Sequence, residues 1–320
     1  MTFFRMGELN YSSVTSLTLL DLCWLGNPRS IASVLLRSGN TNLLIDPGPS
    51  ICLPTLHKQL ASSGLRISDV QFILLTHIHL DHAGATGSLL LENPNLQVYV
   101  HEQGAPHLVD PQKLLKSAQR LYGDKMDALF GRFLPVPQSH LQILRGGESL
   151  SLGGTSFDVL YTPGHASHHV SYLECSTGTA FVGDTAGICI EGHPFVLPAT
   201  PPPDIDLELW DKSMDAIEHL NPKRLCLTHF GFSERPAEHL ANYRIRLRQW
   251  SELVAKILSA GGEESVAIEE FIREATEEAV ASLTTEDAAH LLFNGHLPLS
   301  WMGLARYHRK RAAASTASQS

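Results

Sequence analysis

Thr76-His77-Ile78-His79-Leu80-Asp81-His82 follows directly on Phe72-Ile73-Leu74-Leu75, and the reading of this stretch decides the fold. The apolar run has the length and composition of a buried strand. Three imidazoles and a carboxylate then fall within six positions. Both groups ligate zinc, manganese or iron, and close spacing brings several of them to one point at small conformational cost. A polar turn with solvated histidines is the competing reading. Four metal-capable groups straight after a core strand favour ligation.

Working outward, three more apolar runs end the same way. Residues 157–161 lead through Thr162-Pro163-Gly164 to His165, 180–182 through Gly183 to Asp184, and 225–227 through Thr228 to His229. In layered α/β proteins such strand ends gather along one edge and build the site there. Gly164 and Gly183 allow a sharp backbone turn beside a candidate ligand, and Pro163 keeps Thr162 extended. The Asp184 carboxylate can bridge two ions through its two oxygens. That suits a set with more donors than one four-coordinate ion needs.

Around these runs short strands alternate with helices, the pattern of an α/β or α+β core. Residues 31–36 and 42–45 read as a hairpin through Ser38-Gly39-Asn40, closed by a turn at Asp46-Pro47-Gly48. Residues 97–100 and 141–144 read as strands. Between them, residues 105–137 form an excursion with 113–130 helical, of a size that suits a lid over a binding cleft. Beyond the stiff loop 198–203 and a helix capped by Asp206, the chain turns helical. There Leu240, Tyr243, Leu247, Trp250, Val254 and Ile257 make one apolar stripe. A short last helix is expected from Trp301 toward Arg309. The expected division is therefore a catalytic domain over 1–235, a helical region over 236–311, and a small, polar, disordered tail over 312–320.

With 320 residues, 43% of them hydrophobic, the chain has enough apolar material for a large core. It shows no apolar run near the roughly 18 residues a membrane span requires. The most apolar N-terminal stretch, 14–25, is interrupted by Asp21 and followed by no small-residue cleavage site. No signal peptide is expected, and the location expected is cytoplasmic. A net charge of -9 argues against a broad nucleic-acid surface. Cys23, Cys52, Cys175, Cys189 and Cys226 are odd in number and form no Cys-x-x-Cys, so free thiols are expected.

His77-x-His79-x-Asp81-His82, His165 in Thr-Pro-Gly-His, Asp184 in Gly-Asp and His229 in Thr-His resemble the metallo-β-lactamase superfamily over about residues 28–232. The nearest branch in pattern is that of glyoxalase II-like and lactonase-like hydrolases. The resemblance implies an α+β fold, an αββα sandwich of two mixed β-sheets flanked by helices, with metals at the sheet edge. It implies that His77, His79 and His165 hold a first ion, that Asp81, His82 and His229 hold a second, and that Asp184 bridges them. True β-lactamases of the main zinc class resemble this pattern but carry a cysteine at the place of Asp184 and lack the His after the Asp. Antibiotic hydrolysis is therefore not expected. The tRNA-processing nuclease branch would bring a substrate-gripping arm and a basic surface, and neither is visible.

What this implies is a dinuclear metal-dependent hydrolase. Two divalent ions, zinc first with manganese or iron as alternatives, would hold a bridging hydroxide that attacks a small ester, thioester or lactone. A metal lowers the pKa of bound water to about 7. Asp81 is expected to serve as a ligand and also as the catalytic group that orients the nucleophile; as a general base it would contribute about 10²–10⁴-fold. A mononuclear iron sulfur dioxygenase acting on persulfides through His77, His165 and Asp184 is one alternative, and a phosphodiesterase another. His107, Arg120 and Tyr122 in the excursion are candidate substrate contacts, and His169 is a candidate support behind the ligands. The other histidines, His101, His168 and His296 among them, read as structural or surface groups. The basic run 306–311 reads as a charge cluster at a helix end. A small-molecule substrate is expected, with no nucleic acid or membrane partner, and the apolar helical region suggests a homodimer.

Overall fold

Short leucine- and valine-rich runs separated by turn residues fold into two six-stranded sheets, and the segments with 3.6-residue periodicity cover them. The computed structural model describes residues 15–317. The first sheet takes β1 (Ser16–Asp21), β2 (Ala32–Ser38), β3 (Thr41–Ile45), β4 (Phe72–Leu74), β5 (Gln97–His101) and β6 (Leu141–Leu144) in that spatial order. Its first three strands pair antiparallel and β3 to β6 pair parallel. Next in the chain come β7 (Ser149–Leu152), β8 (Thr155–Tyr161), β9 (Val170–Glu174) and β10 (Thr179–Phe181). A separate ribbon of β11 (Ile188–Cys189) and β12 (Val196–Leu197) follows, then β13 (Arg224–Leu227) and β14 (Gly231–Ser233). The second sheet has the order β14-β13-β10-β9-β8-β7, mixed through the parallel β10–β13 pair.

The inner faces of the two sheets share one core that includes Leu36, Ile45, Leu74, Phe157, Tyr172 and Phe181. On the outer face of the first sheet lie α1 (Leu53–Ser62), α2 (Leu80–Ala83), α3 (Thr86–Glu92), α4 (Ala105–Val109), α5 (Gln112–Tyr122) and α6 (Met126–Phe130). On that of the second lie α7 (Leu207–His219), α8 (Pro236–Ala260), α9 (Glu264–Ser282), α10 (Thr285–Gly295) and α11 (Leu297–Ala317). The result is the four-layered αββα sandwich expected from the resemblance, with additional helices at its C-terminal end. No helix among the described residues is long and apolar enough to cross a membrane.

The departures have physical causes. The stretch 113–130 is two helices instead of one, broken where Gly123 takes φ +54°. The apolar N-terminal stretch is an edge strand, β1, whose Asp21 carboxylate accepts from the backbone amides of Cys23 and Arg29. The last helix is long where a short one was expected, and it runs to Ala317; the tail expected from 312 is thus helical to that point, and 318–320 lie outside the described residues. The stripe from Leu240 to Ile257 is buried within the chain, where α8 packs on α9, α11 and β12. That face is consumed internally and is not available to a second copy.

Strand direction positions the site. β8 and β10 are both antiparallel to β9, and β13 is parallel to β10, so all three point the same way. β3 and β4 likewise run together in the first sheet. Two backbone bonds stitch these ends across the sandwich, Val170 N–H to the Thr76 carbonyl at 2.8 Å and Ala32 N–H to the Thr228 carbonyl at 2.9 Å. Segments 76–82, 164–165, 183–184 and 228–229 therefore meet at one edge.

Candidate metal centre

Four of the histidines at this edge are fixed by a bond from the ring nitrogen that faces away from it. His165 Nδ1 donates to the Ala199 carbonyl at 2.8 Å, His229 Nδ1 to the Ser30 carbonyl at 2.9 Å, and His82 Nδ1 to Asp46 Oδ2 at 2.8 Å. Thr76 Oγ1 donates to Asp46 at 2.7 Å and so accepts from His77 Nδ1 at 3.1 Å. A nitrogen facing an acceptor carries the proton, which leaves Nε2 of each ring turned toward the others.

Those nitrogens converge on three groups whose ligand atoms lie within 4.8 Å of one another: His77, His79 and His165; His77, His82 and Asp184; and Asp81, His82 and His229. His77 Nε2 and His165 Nε2 each lie 3.0 Å from His79 Nδ1, which has at most one proton to share between them. Asp184 directs one oxygen to each side, Oδ1 lying 3.1 Å from His82 Nε2 and Oδ2 lying 3.4 Å from His165 Nε2. His82 Nε2 and Asp184 Oδ1 are both buried, and their mutual 3.1 Å contact lacks hydrogen-bond geometry. Buried polar atoms in that state cost free energy. A divalent cation among nitrogen and carboxylate donors removes the cost, so the residues present fit one.

The electrostatics divide the site in two. Burial, reinforced by neighbouring imidazoles, holds His77 well below its ordinary range and lowers His79 to about 4. That side presents neutral lone pairs. On the other side burial opposes the charged forms, but the carboxylate–imidazole attractions outweigh it. Asp184 and Asp81 are held ionised by His82 and His229, and both imidazoles are raised by those carboxylates. One side offers lone pairs and the other attracts positive charge.

Asp46 belongs to the site although the Asp-Pro-Gly context reads as a turn. It is buried at the end of β3 and takes φ +48°, a region that Asp tolerates better than most residues. Its carboxylate accepts from Thr76 N–H at 2.8 Å, Thr76 Oγ1, His82 Nδ1 and, at 3.0 Å, Thr228 Oγ1. It thereby ties the ends of β3, β4 and β13 together. The available signal was its place at the end of an apolar run, as with the other four. Gly183, at φ +46°, is needed for space as well, because a Cβ there would fall 2.6 Å from both His169 Nε2 and Thr76 Oγ1.

A cavity opens above the cluster, with His79, Asp81, Asp184 and His229 in its floor. The excursion supplies part of its wall through Tyr122 and Phe130, the loop over 199–203 a second part, and the α10–α11 junction a third. Of the three candidate substrate contacts, Tyr122 lines this cavity. His107 and Arg120 do not, and Arg120 is exposed on an adjoining groove. His169 stacks on His77 with ring centroids 5.0 Å apart, and its Nδ1 lies 2.9 Å from Thr162 Oγ1. It supports the cluster by packing and bonds to no candidate ligand. Sequence reading missed His296, which takes φ +41° after α10 and lines the cavity edge-on to Trp24.

Residues 26–229 match the family described as the metallo-beta-lactamase superfamily. A metallo-beta-lactamase fold-containing protein of Sulfurisphaera tokodaii is 33% identical over 168 residues, covering 52% of this chain and 62% of its own. A hydroxyacylglutathione hydrolase of Aeromonas hydrophila is 32% identical over 165 residues, 50% of each chain. The match thus spans less than two thirds of either curated relative. The crystal structure of a metallo-beta-lactamase family protein from Thermus thermophilus superposes with a TM-score of 0.66 at 22% identity, covering 93% of this chain and 94% of that one. At that identity the likeness concerns the fold alone. A family match over more than half of the chain, on a four-layered sandwich with its donors at the sheet edge, places this protein in the metallo-beta-lactamase superfamily.

Proposed function

We propose that this chain is a dinuclear metal-dependent hydrolase of esters or thioesters. His77, His79 and His165 would hold one ion, Asp81, His82 and His229 the other, and Asp184 would bridge them, with zinc the first candidate for such a donor set. The observation that carries this reading is Asp184, which sends one oxygen toward each half of the cluster. Similarity to a hydroxyacylglutathione hydrolase supports the reaction class.

When bound, the ions would supply a water-derived nucleophile at neutral pH and polarise the scissile carbonyl. The rest falls to the protein. The outward bonds of His82, His165 and His229 hold the rings in one orientation, so the donors need not reorganise on loading. Asp81, partly exposed at the cavity floor, stays ionised beside His82 and His229 and can orient the attacking water by accepting a hydrogen bond from it. Burial and the nearby carboxylates keep the Tyr122 phenol protonated, so it can donate a hydrogen bond to a substrate oxygen. The apolar walls limit competing water.

The sulfur dioxygenase alternative needs one iron, and the complete second group of Asp81, His82 and His229 favours two ions instead. The test is a metal count by mass spectrometry on purified protein, with a panel of thioester, ester, lactone and phosphodiester substrates. Two ions per chain and turnover lost in Asp81→Ala and His165→Ala are expected. A single iron with oxygen uptake on a persulfide would overturn the proposal.

A further inference from the structure

The cavity above the candidate metal centre adjoins a second, open groove, and the two share Ser117, Leu121, Pro202 and Pro203 as a common wall. Their chemistry differs sharply. The chamber over the cluster is walled by Leu114, Ala118, Phe130, Ile188 and Leu299 and, among the described residues, contains no Lys or Arg. The groove is edged by Arg120 from α5 and by Arg306, Arg309 and Lys310 from α11, with Glu264 as its one carboxylate among the described residues.

This concentration of cations runs against the charge of the chain, which has 33 acidic and 24 basic residues. Complementation of a helix dipole does not explain it. That effect is confined to the last turn, whereas α11 continues to Ala317 and has no basic residue in its last turn. Arg309 pairs with Glu264, and Arg306 Nε donates to the Pro203 carbonyl at 3.3 Å, which seats that cation on the shared wall. Arg120 and Lys310 join no ion pair among the described residues.

We propose that the substrate straddles the wall, with an apolar acyl group in the chamber and a phosphate-bearing leaving group in the cationic groove. The inference rests on the hydrolase reading and narrows it to acyl thioesters of a phosphorylated carrier. Four cations against one carboxylate match a polyanion, and a peptide thiol with a single net negative charge would leave most of them unneutralised. In the reaction the oxygen of water bonds to the acyl carbon, the C–S bond breaks with its electron pair going to sulfur, and the thiol leaves with a proton.

The experiment is calorimetric titration of the full, metal-loaded chain with coenzyme A, pantetheine and glutathione. Coenzyme A is expected to bind at least about tenfold more tightly than pantetheine, its phosphates forming charge-assisted bonds that pantetheine lacks. The advantage should shrink with added salt. It should also be lost in the double variant Arg306→Glu, Lys310→Glu and, from the opposite bank, in Arg120→Glu, each checked for an unchanged melting temperature. Using both banks keeps a misfolded α11 from imitating the result. Equal affinity for coenzyme A and pantetheine overturns the proposal, as does glutathione binding as tightly as coenzyme A. Turnover of uncharged esters without preference for the phosphorylated carrier sinks this inference and spares the hydrolase reading. Tight coenzyme A binding with no turnover of any ester or thioester overturns the hydrolase reading and this inference with it, leaving the groove as a phosphate-binding surface only.

Discussion

The carboxylate of Asp46 accepts a hydrogen bond from His82 Nδ1 at 2.8 Å, with both side chains almost wholly buried. The ring is thus fixed by an anion on one nitrogen while the other faces Asp184. Such a partner makes the imidazole a better donor and holds it in place. Asp46→Asn keeps the shape and removes the charge, and it should lower affinity for divalent metal by about 10–100-fold. Competition against a chromogenic chelator measures this, and wild-type affinity would show that His82 needs no anionic support.

His239 on α8 gives a pH dependence separate from the cluster. It is buried and donates from Nε2 to the Ala186 carbonyl at 2.9 Å, and burial outweighs that bond to push its pKa down. The unfolded chain then binds this proton more readily than the folded one. Its contribution is complete above the ordinary value of about 6.5 and falls by up to about 1.4 kcal/mol per pH unit below it, until the folded pKa is reached. Urea unfolding at pH 7.5 and 5.5 should show wild type losing more stability than His239→Gln. Equal losses in the two proteins would mean that His239 is protonated when folded.

The candidate ligands were legible because each follows an apolar run, and a side chain at a strand end has one edge of the sandwich to go to. Asp46 obeys the same rule, but Asp-Pro-Gly is also the composition of a surface turn, and local sequence does not separate the two. The cavity wall was harder to read. Leu299 lies far along the chain from the floor residue Asp81, and only the packing of α11 on α8 and α9 brings it there. The basic run 306–311 reads in sequence as a helix end for a similar reason, whereas α11 extends past it to Ala317.

Gly303 shows how closely α11 approaches the loop that walls the cavity. A Cβ at this position would lie 1.9 Å from the Thr200 carbonyl oxygen and 3.0 Å from the Pro201 carbonyl carbon. Helix propensity alone favours Gly303→Ala by about 1 kcal/mol. A backbone clash of this depth costs typically about 1–3 kcal/mol or more. The overlap is with main-chain atoms, so the clash should win, with a net loss of about 1–2 kcal/mol and a lower urea midpoint. A midpoint equal to wild type would show that α11 is free to slide away from the loop.

The division of the cluster predicts different metal losses for two single substitutions. His229 contributes to the group with Asp81 and His82 and stands outside the group of His77, His79 and His165. His229→Ala should therefore retain about one ion per chain, held by three nitrogens as in other His₃ sites. Asp184 reaches both halves, with Oδ1 near His82 and His229 and Oδ2 near His165. Asp184→Ala should weaken both ions at once, and extensive dialysis should leave less than one ion per chain. Because ligand binding stabilises the folded state by about 4 kcal/mol at a thousandfold excess over Kd, the melting temperatures should follow the same order. Wild type should be highest, His229→Ala intermediate and Asp184→Ala lowest. Complete loss of metal from His229→Ala would mean that neither half binds without the other, and the two-part description of the site would fail.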